Sequence, residues 1–202
     1  VSKQKLTNGY VCYPYNHTHD SIELKESWEK SKNIDSMYFV TATFSDDSKP
    51  YFANCSNHYL LAHFKDNTAL SDDVENHKQT EESFVFSIDN DFFEREVDGS
   101  MNFVSIYYLE YGESGEDVSE IANVVAKREK IARAGVGHMN LYCRESPRFT
   151  FPYSNSIVVL EVSSDKSHQS VNKYCEKTRS DVNRMGYSLT NLVGLSILEK
   201  LK

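Results

Sequence analysis

The side chains with the widest chemical scope in this sequence are its imidazoles, its thiols and its phenols. His17, His19 and Asp20 stand in the run Asn-His-Thr-His-Asp. An extended backbone puts both imidazoles on one side with a carboxylate beside them, a pattern able to ligate a metal ion. No third ligand follows at a recognisable spacing, so the segment reads as a polar, solvated arm and no metal is assigned. His58 and His63 fall on an expected strand at an odd separation and face opposite sides, which suits packing better than a shared site. Cys12, Cys55, Cys143 and Cys175 show no CxxC pairing, which argues against zinc, and they admit either two disulfides or four buried thiols. The sequons at Asn16 and Asn54 are no more than chance supplies.

Recognised catalytic signatures are absent: there is no GxSxG, Walker loop, GxGxxG, HExxH or EF-hand loop. Gly112 to Gly115 precedes a helical pattern, yet Glu113, Glu116 and Asp117 would oppose a phosphate there. The Lys127 to Lys130 run with Arg133 could receive an anion, although a cationic helix end complementing the dipole is the preferred reading. The expectation is therefore a protein without catalysis, with no catalytic residue and no required cofactor.

Phenols are the unusual resource: 13 Tyr and 11 Phe accompany a single Trp. Their reference pKa lies near 10, so alkali turns them into anions while lysines lose charge, deepening a net charge of −8. Two clusters, Tyr10, Tyr13 and Tyr15, then Tyr107, Tyr108 and Tyr111, are the candidate alkaline-switch or contact residues. The acidic balance, 30 Asp and Glu against 22 Lys and Arg, repels phosphate backbones and argues against a nucleic-acid partner. No apolar stretch reaches the roughly 20 residues that span a bilayer, and Val1 to Tyr10 has no signal-peptide core. The expectation is a soluble chain with no membrane partner.

The elements that must position these groups are mostly strands. Residues 1–35 read as an extended arm followed by a short amphipathic helix at 21–32 with Ile22, Leu24 and Trp28 on its apolar side. Residues 36–44 and 50–64 read as a hairpin, 65–82 as a solvated acidic loop, and 83–88 and 101–108 as further strands. Residues 116–134 carry apolar positions at helical spacing and read as a helix closed by Gly135. Strands follow at 138–143 and 148–162, and 170–201 reads as helical with a break near Gly186. No composition break divides the chain, so one domain is expected over 1–202. It comprises an arm and helix (1–35), a β-sandwich with a helical insertion (36–164, insertion 116–134) and a helical C-terminal region (165–202).

Three stretches resemble the polyhedrins of cypoviruses: the Tyr-rich arm and helix leading into SMYFVTATFSDDSKPYFANCSNHYLLAHF, then SIYYLEYG before the 116–134 insertion, and RFTFPYSNSIVVLEVSS at 148–164. The resemblance implies a jelly-roll-like antiparallel β-sandwich, α+β or mainly β, whose arm and helix lock trimers into an intracellular crystal. Partners would then be further copies of the chain and virus particles, in cytoplasmic occlusion bodies of an infected host cell that dissolve as Tyr and Lys lose protons. Some relatives hold nucleotides between subunits, but no phosphate loop supports carrying that over. The alternative is a secreted small-ligand or immune-evasion binding protein on a lipocalin-like β-barrel, which would need two disulfides.

Overall fold

SFVFSI at 83–88 is buried along almost its whole length: Phe84, Phe86 and Ile88 line an interior, and Val85 belongs to a cluster with Val11 and Leu60 on the other face. The computed structural model describes residues 8–14, 19–52, 57–66, 83–110, 118–142, 152 and 155–202, apart from the side chains of 8, 19–21, 142 and 155. The strands are β1 (Asn8–Pro14), β2 (Ile34–Phe44), β3 (His58–Phe64), β4 (Ser83–Ile88), β5 (Asn90–Glu94), β6 (Met101–Glu110), β7 (Ile131–Tyr142), β8 (Asn155–Ser163) and β9 (Ser188–Lys200). Helices α1 (His19–Lys30), α2 (Ser119–Ala126) and α3 (His168–Asn183) join them.

The spatial order β4-β1-β3-β2-β9-β6-β8-β7 is closed by a further β4–β7 pairing, and every junction is antiparallel. The result is an eight-stranded barrel, with β5 continuing β4 along the same edge of β7 as a ninth strand. This overturns the jelly-roll sandwich expected from the sequence and its polyhedrin resemblance. The pairing also contains a repeat: β1–β4 occur in the order 4-1-3-2, and β6–β9 repeat that order. In each half a helix links the first two strands, α1 between β1 and β2 and α2 between β6 and β7, as in a split β-α-β unit. The halves meet at β2·β9 and β4·β7, so neither keeps a free edge at those seams.

Three apolar clusters follow from this arrangement. Tyr10, Tyr59, Phe84, Phe86, Ile106 and Leu195 belong to the cluster that fills the barrel, as expected of an interior only wide enough for side chains. Trp28 and Leu24 of α1 pack with Val11, Tyr13, Leu60 and Phe64 outside the first half. Ile121 and Val125 of α2, with Val171, Cys175 and Val182 of α3, cover the outside of the second half.

Several sequence expectations are corrected. The N-terminal segment is no arm, since residues 8–14 form an internal strand hydrogen-bonded to β3 and β4. The helix expected over 116–134 spans only Ser119–Ala126. Arg95 donates to the carbonyls of Ala126, Arg128 and Ile131, taking up acceptors that a continuing helix would use. Residues 188–200, expected to be helical, are β9. Leu189, Leu192, Val193 and Leu195 are buried on both faces, and a strand covered on both sides loses the two-residue alternation that would reveal it. Residues 67–82 of the expected acidic loop lie outside the described residues. Among the described residues no helix is long and apolar enough to cross a membrane.

Candidate functional site

Three cross-strand pairs bring polar side chains together at one end of the barrel. Tyr10 of β1 lies opposite His63 of β3, Glu161 of β8 opposite Arg133 of β7, and Arg133 in turn opposite Glu94 of β5. The Tyr10 hydroxyl donates to Glu161 Oε1 and accepts from Arg133 Nη1 at 3.3 Å. Arg133 Nη2 is 2.5 Å from Glu94 Oε1, and its Nη1 is 3.9 Å from Glu161 Oε2. His63 stacks against the Tyr10 ring with centroids 4.7 Å apart and turns Nδ1 toward Asp35 Oδ2 at 3.3 Å. Phe86 stacks on Tyr10 at 4.7 Å, so the polar cluster borders the apolar filling directly.

The cluster grades from a dry interior to water. The Glu161 side chain is 9% exposed and those of Arg133 and His63 12%, whereas Glu94 and Asp35 at the rim are 62% and 57% exposed. The other end is filled by Phe44, Phe52, Tyr59 and Phe84, with Phe44 stacked on Phe52 at 4.1 Å. The mouth of the barrel is therefore the Tyr10 end.

Burial sets the protonation states. It raises the Glu161 carboxyl above the ordinary carboxylate range, with Arg133 and the Tyr10 hydroxyl pulling it partly back. The Tyr10 phenol is pushed well above its ordinary value by burial and then by the Glu161 charge. Burial, reinforced by Arg133, lowers His63 and keeps it neutral at pH 7. Burial works against the Arg133 charge, but Glu161, Tyr10 and Glu94 outweigh it and hold the guanidinium protonated. Two buried nitrogen atoms of this cluster, Arg133 Nε and His63 Nε2, have no hydrogen-bond partner among the described residues.

The residues singled out in the sequence are distributed differently. Tyr10 is in this cluster; Tyr13 is buried with α1, Tyr107 lies beneath α3, and Tyr108 packs half-buried against the barrel filling. Tyr15, Tyr111, His17, the sequons, Gly112 to Gly115, Cys55 and Cys143 lie outside the described residues. Cys12 and Cys175 are free, buried thiols, one in the barrel and one beneath α3. His58 is exposed at the start of β3, apart from the cluster. His63, read as a packing residue, belongs to the cluster, and Arg133, read as part of a cationic helix end, is a strand residue committed to Glu161 and Glu94. Arg128 stacks on Tyr174 at 4.2 Å and donates to Thr178, fixing the turn after α2 against α3. Among the described residues no group of three or more His, Cys, Asp or Glu side chains could hold a metal ion.

A second polar group can be set aside. His138 Nδ1 is 2.7 Å from Asp89 and 3.0 Å from Ser87 Oγ, so one ring nitrogen faces both partners. A proton relay needs the nucleophile and the carboxylate on opposite nitrogens.

No family model matches the chain, and no curated protein matches it. A solved structure similar to it is that of a "putative monooxygenase" from Lactobacillus acidophilus NCFM, 12% identical, covering 96% of this chain and 100% of that one with a TM-score of 0.44. A likeness that distant transfers no reaction. The expectation of a protein without catalysis is nevertheless corrected. The ground for that expectation, the lack of a visible acid–base constellation, is removed by the Tyr10–Glu161–Arg133–His63 group.

Proposed function

We propose that this chain is a barrel protein that binds a small ligand at the Tyr10 end, with the ligand's polar head against Arg133 and His63. The observation that carries this reading is the pair of buried nitrogens without partners, Arg133 Nε and His63 Nε2. A buried donor left unmatched costs about 1–3 kcal/mol, and such groups cluster where a ligand completes the bonding. Arg133 Nε can only donate. His63 is neutral and its Nδ1 faces a carboxylate, so Nδ1 carries the proton and Nε2 accepts. A head that both accepts and donates, such as an alcohol, phenol or primary amide, satisfies the two atoms. An anionic head would meet Glu94, Asp35 and Glu161 and is disfavoured.

A second reading, proton transfer on the bound ligand, is favoured by Glu161, whose carboxyl is raised by burial and bonded to the Tyr10 hydroxyl beside the neutral His63. The secreted, lipocalin-like form of the binding reading has less support, because its two disulfides would need Cys12 and Cys175, which are free. The self-assembly reading has lost its jelly-roll premise, and Tyr10, Tyr13 and Tyr107 are buried within one chain.

The test is nuclear magnetic resonance of the full chain against a panel of small alcohols, phenols, primary amides and carboxylates. Neutral heads are expected to shift the Arg133 Nε–H and His63 ring signals together. Shifts confined to other residues, or produced by carboxylates alone, would sink the reading.

A further inference from the structure

Outside the barrel, over the seam where β2 meets β9, a cleft of about 270 Å³ opens between the strands and the start of α3. Thr43 and Phe44 come from the end of β2, Asn191 and Ser196 from β9, and Gln169 and Asn172 from α3. The cleft exists because the helices cover the two halves and stop short of this seam. It lies toward the end of β2 away from Tyr38 and the polar mouth, so it is independent of the barrel-end site.

Its chemistry is specific in three respects. Apart from the His168 imidazole, none of its lining side chains is ionisable, so a charged ligand would lose its hydration there with no Asp, Glu, Lys or Arg in return. The rest of the polar lining is amide and hydroxyl, groups that both donate and accept. Asn191 Nδ2 is committed to Glu176 Oε1 at 3.4 Å, and a carboxylate can only accept, which fixes the orientation of the amide. Its Oδ1 is then a buried acceptor with no hydrogen-bond partner among the described residues. Phe103 supplies apolar surface beside it, and the volume falls just below the range of about 300–1,000 Å³ that suits drug-sized ligands.

We infer that this cleft is a binding site for one neutral, polyhydroxylated ring, a monosaccharide-sized polyol, one of whose hydroxyls donates to Asn191 Oδ1. A sugar hydroxyl both donates and accepts, as the amide and hydroxyl lining requires, and the C–H face of the ring suits Phe103. The lining holds no Lys or Arg to meet a phosphate or a carboxylate, which disfavours sugar phosphates and sugar acids.

Saturation-transfer nuclear magnetic resonance on the full chain, with glucose, galactose and mannose as neutral probes and glucuronate and glucosamine as charged ones, tests this. Transfer is expected to at least one neutral hexose and to neither charged sugar. Asn191→Asp, which sets a second carboxylate beside Glu176, and Asn172→Ala, at an exposed position on α3, are each expected to weaken binding roughly tenfold or more, about 1.4 kcal/mol. Amide spectra establish that each variant is folded; if Asn191→Asp is not, Asn172→Ala decides. No transfer to any neutral hexose overturns the inference, as does binding unchanged in the folded variants or a preference for a charged sugar.

Discussion

Arg133 is the residue on which the barrel mouth depends, since it faces Glu161, Glu94 and the Tyr10 hydroxyl from a single strand position. Removing one partner of a buried ion pair strands the other, at about 3–5 kcal/mol, while replacing both with apolar groups is often neutral. Arg133→Met is therefore expected to lower unfolding free energy by roughly that amount in urea titration, and Arg133→Met with Glu161→Leu to recover most of it. Equal losses in the single and double variants would mean that the pair contributes packing rather than charge. Tyr10→Phe removes a donor to Glu161 and an acceptor for Arg133 together, with an expected cost of about 1–3 kcal/mol. The pH dependence separates His63 from Glu161. A lowered histidine gives stability that is present above its unfolded pKa of about 6.5 and is lost as pH falls, because the unfolded chain takes up the proton first. A raised carboxyl gives stability that is present below its unfolded pKa of about 4.3 and is lost as pH rises toward the folded value. Between those two values the slopes oppose one another. His63→Gln should then make the slope of stability against pH more negative there, and Glu161→Gln more positive; changes of the same sign in both would contradict the assignment.

At the scale of elements, β7 shows what a strand must give up to let the chain turn from β4 into β5. A Cβ on Gly137 would stand 1.7 Å from the Ser87 carbonyl oxygen, and one on Gly135 would stand 2.5 Å from that of Asn90. Both obstacles are backbone, held by the β4·β7 and β5·β7 pairings, so they cannot step aside as a flexible side chain would. Overpacking costs typically about 1–3 kcal/mol, and Gly137→Ala should exceed that range and fail to give a folded barrel. Gly194→Ala, which meets the Phe103 ring at 2.7 Å, should stay within it, as judged by thermal unfolding. A Gly137→Ala protein of undiminished stability would refute the close approach. The same elements show how far the sequence could be read. The 36–64 hairpin, SFVFSI and the helix around Trp28 were legible because their signals are local: a turn between two β-branched runs, a two-residue alternation, an apolar helix face. The identity of β9 was hidden by burial on both faces, and the end of α2 by Arg95, which acts from a distant loop. The mouth was not legible at all, because Tyr10, His63, Arg133 and Glu161 meet only through the strand register. The sole local trace was an isolated Glu161 inside the apolar run IVVLEV.

For the whole molecule, barrel closure changes what alkali does to the 13 Tyr. Exposed phenols would ionise together near pH 10 and leave the fold in place, the condition for a charge switch at surfaces between chains. Instead, burial raises Tyr10 and Tyr107 well above the ordinary phenol value and raises Tyr38 as well. The folded barrel holds these protons above pH 10 while the unfolded chain releases them, so their stabilisation is intact below that pH and drains away as pH rises toward the folded values. Each such phenol removes about 1.4 kcal/mol per pH unit, and three acting together about 4 kcal/mol. A domain at the lower end of the usual 5–15 kcal/mol of stability would then unfold from about pH 11 upward. Phenolate absorbance and far-ultraviolet circular dichroism, followed in one alkaline titration, should therefore show a late cooperative ionisation step coinciding with loss of the strand signal. Tyr107→Phe keeps the ring beneath α3 and removes one of the three protons, so its descent should be shallower by about a third. Ionisation of all phenols near pH 10 with the strand signal intact would contradict this and return the tyrosines to the surface.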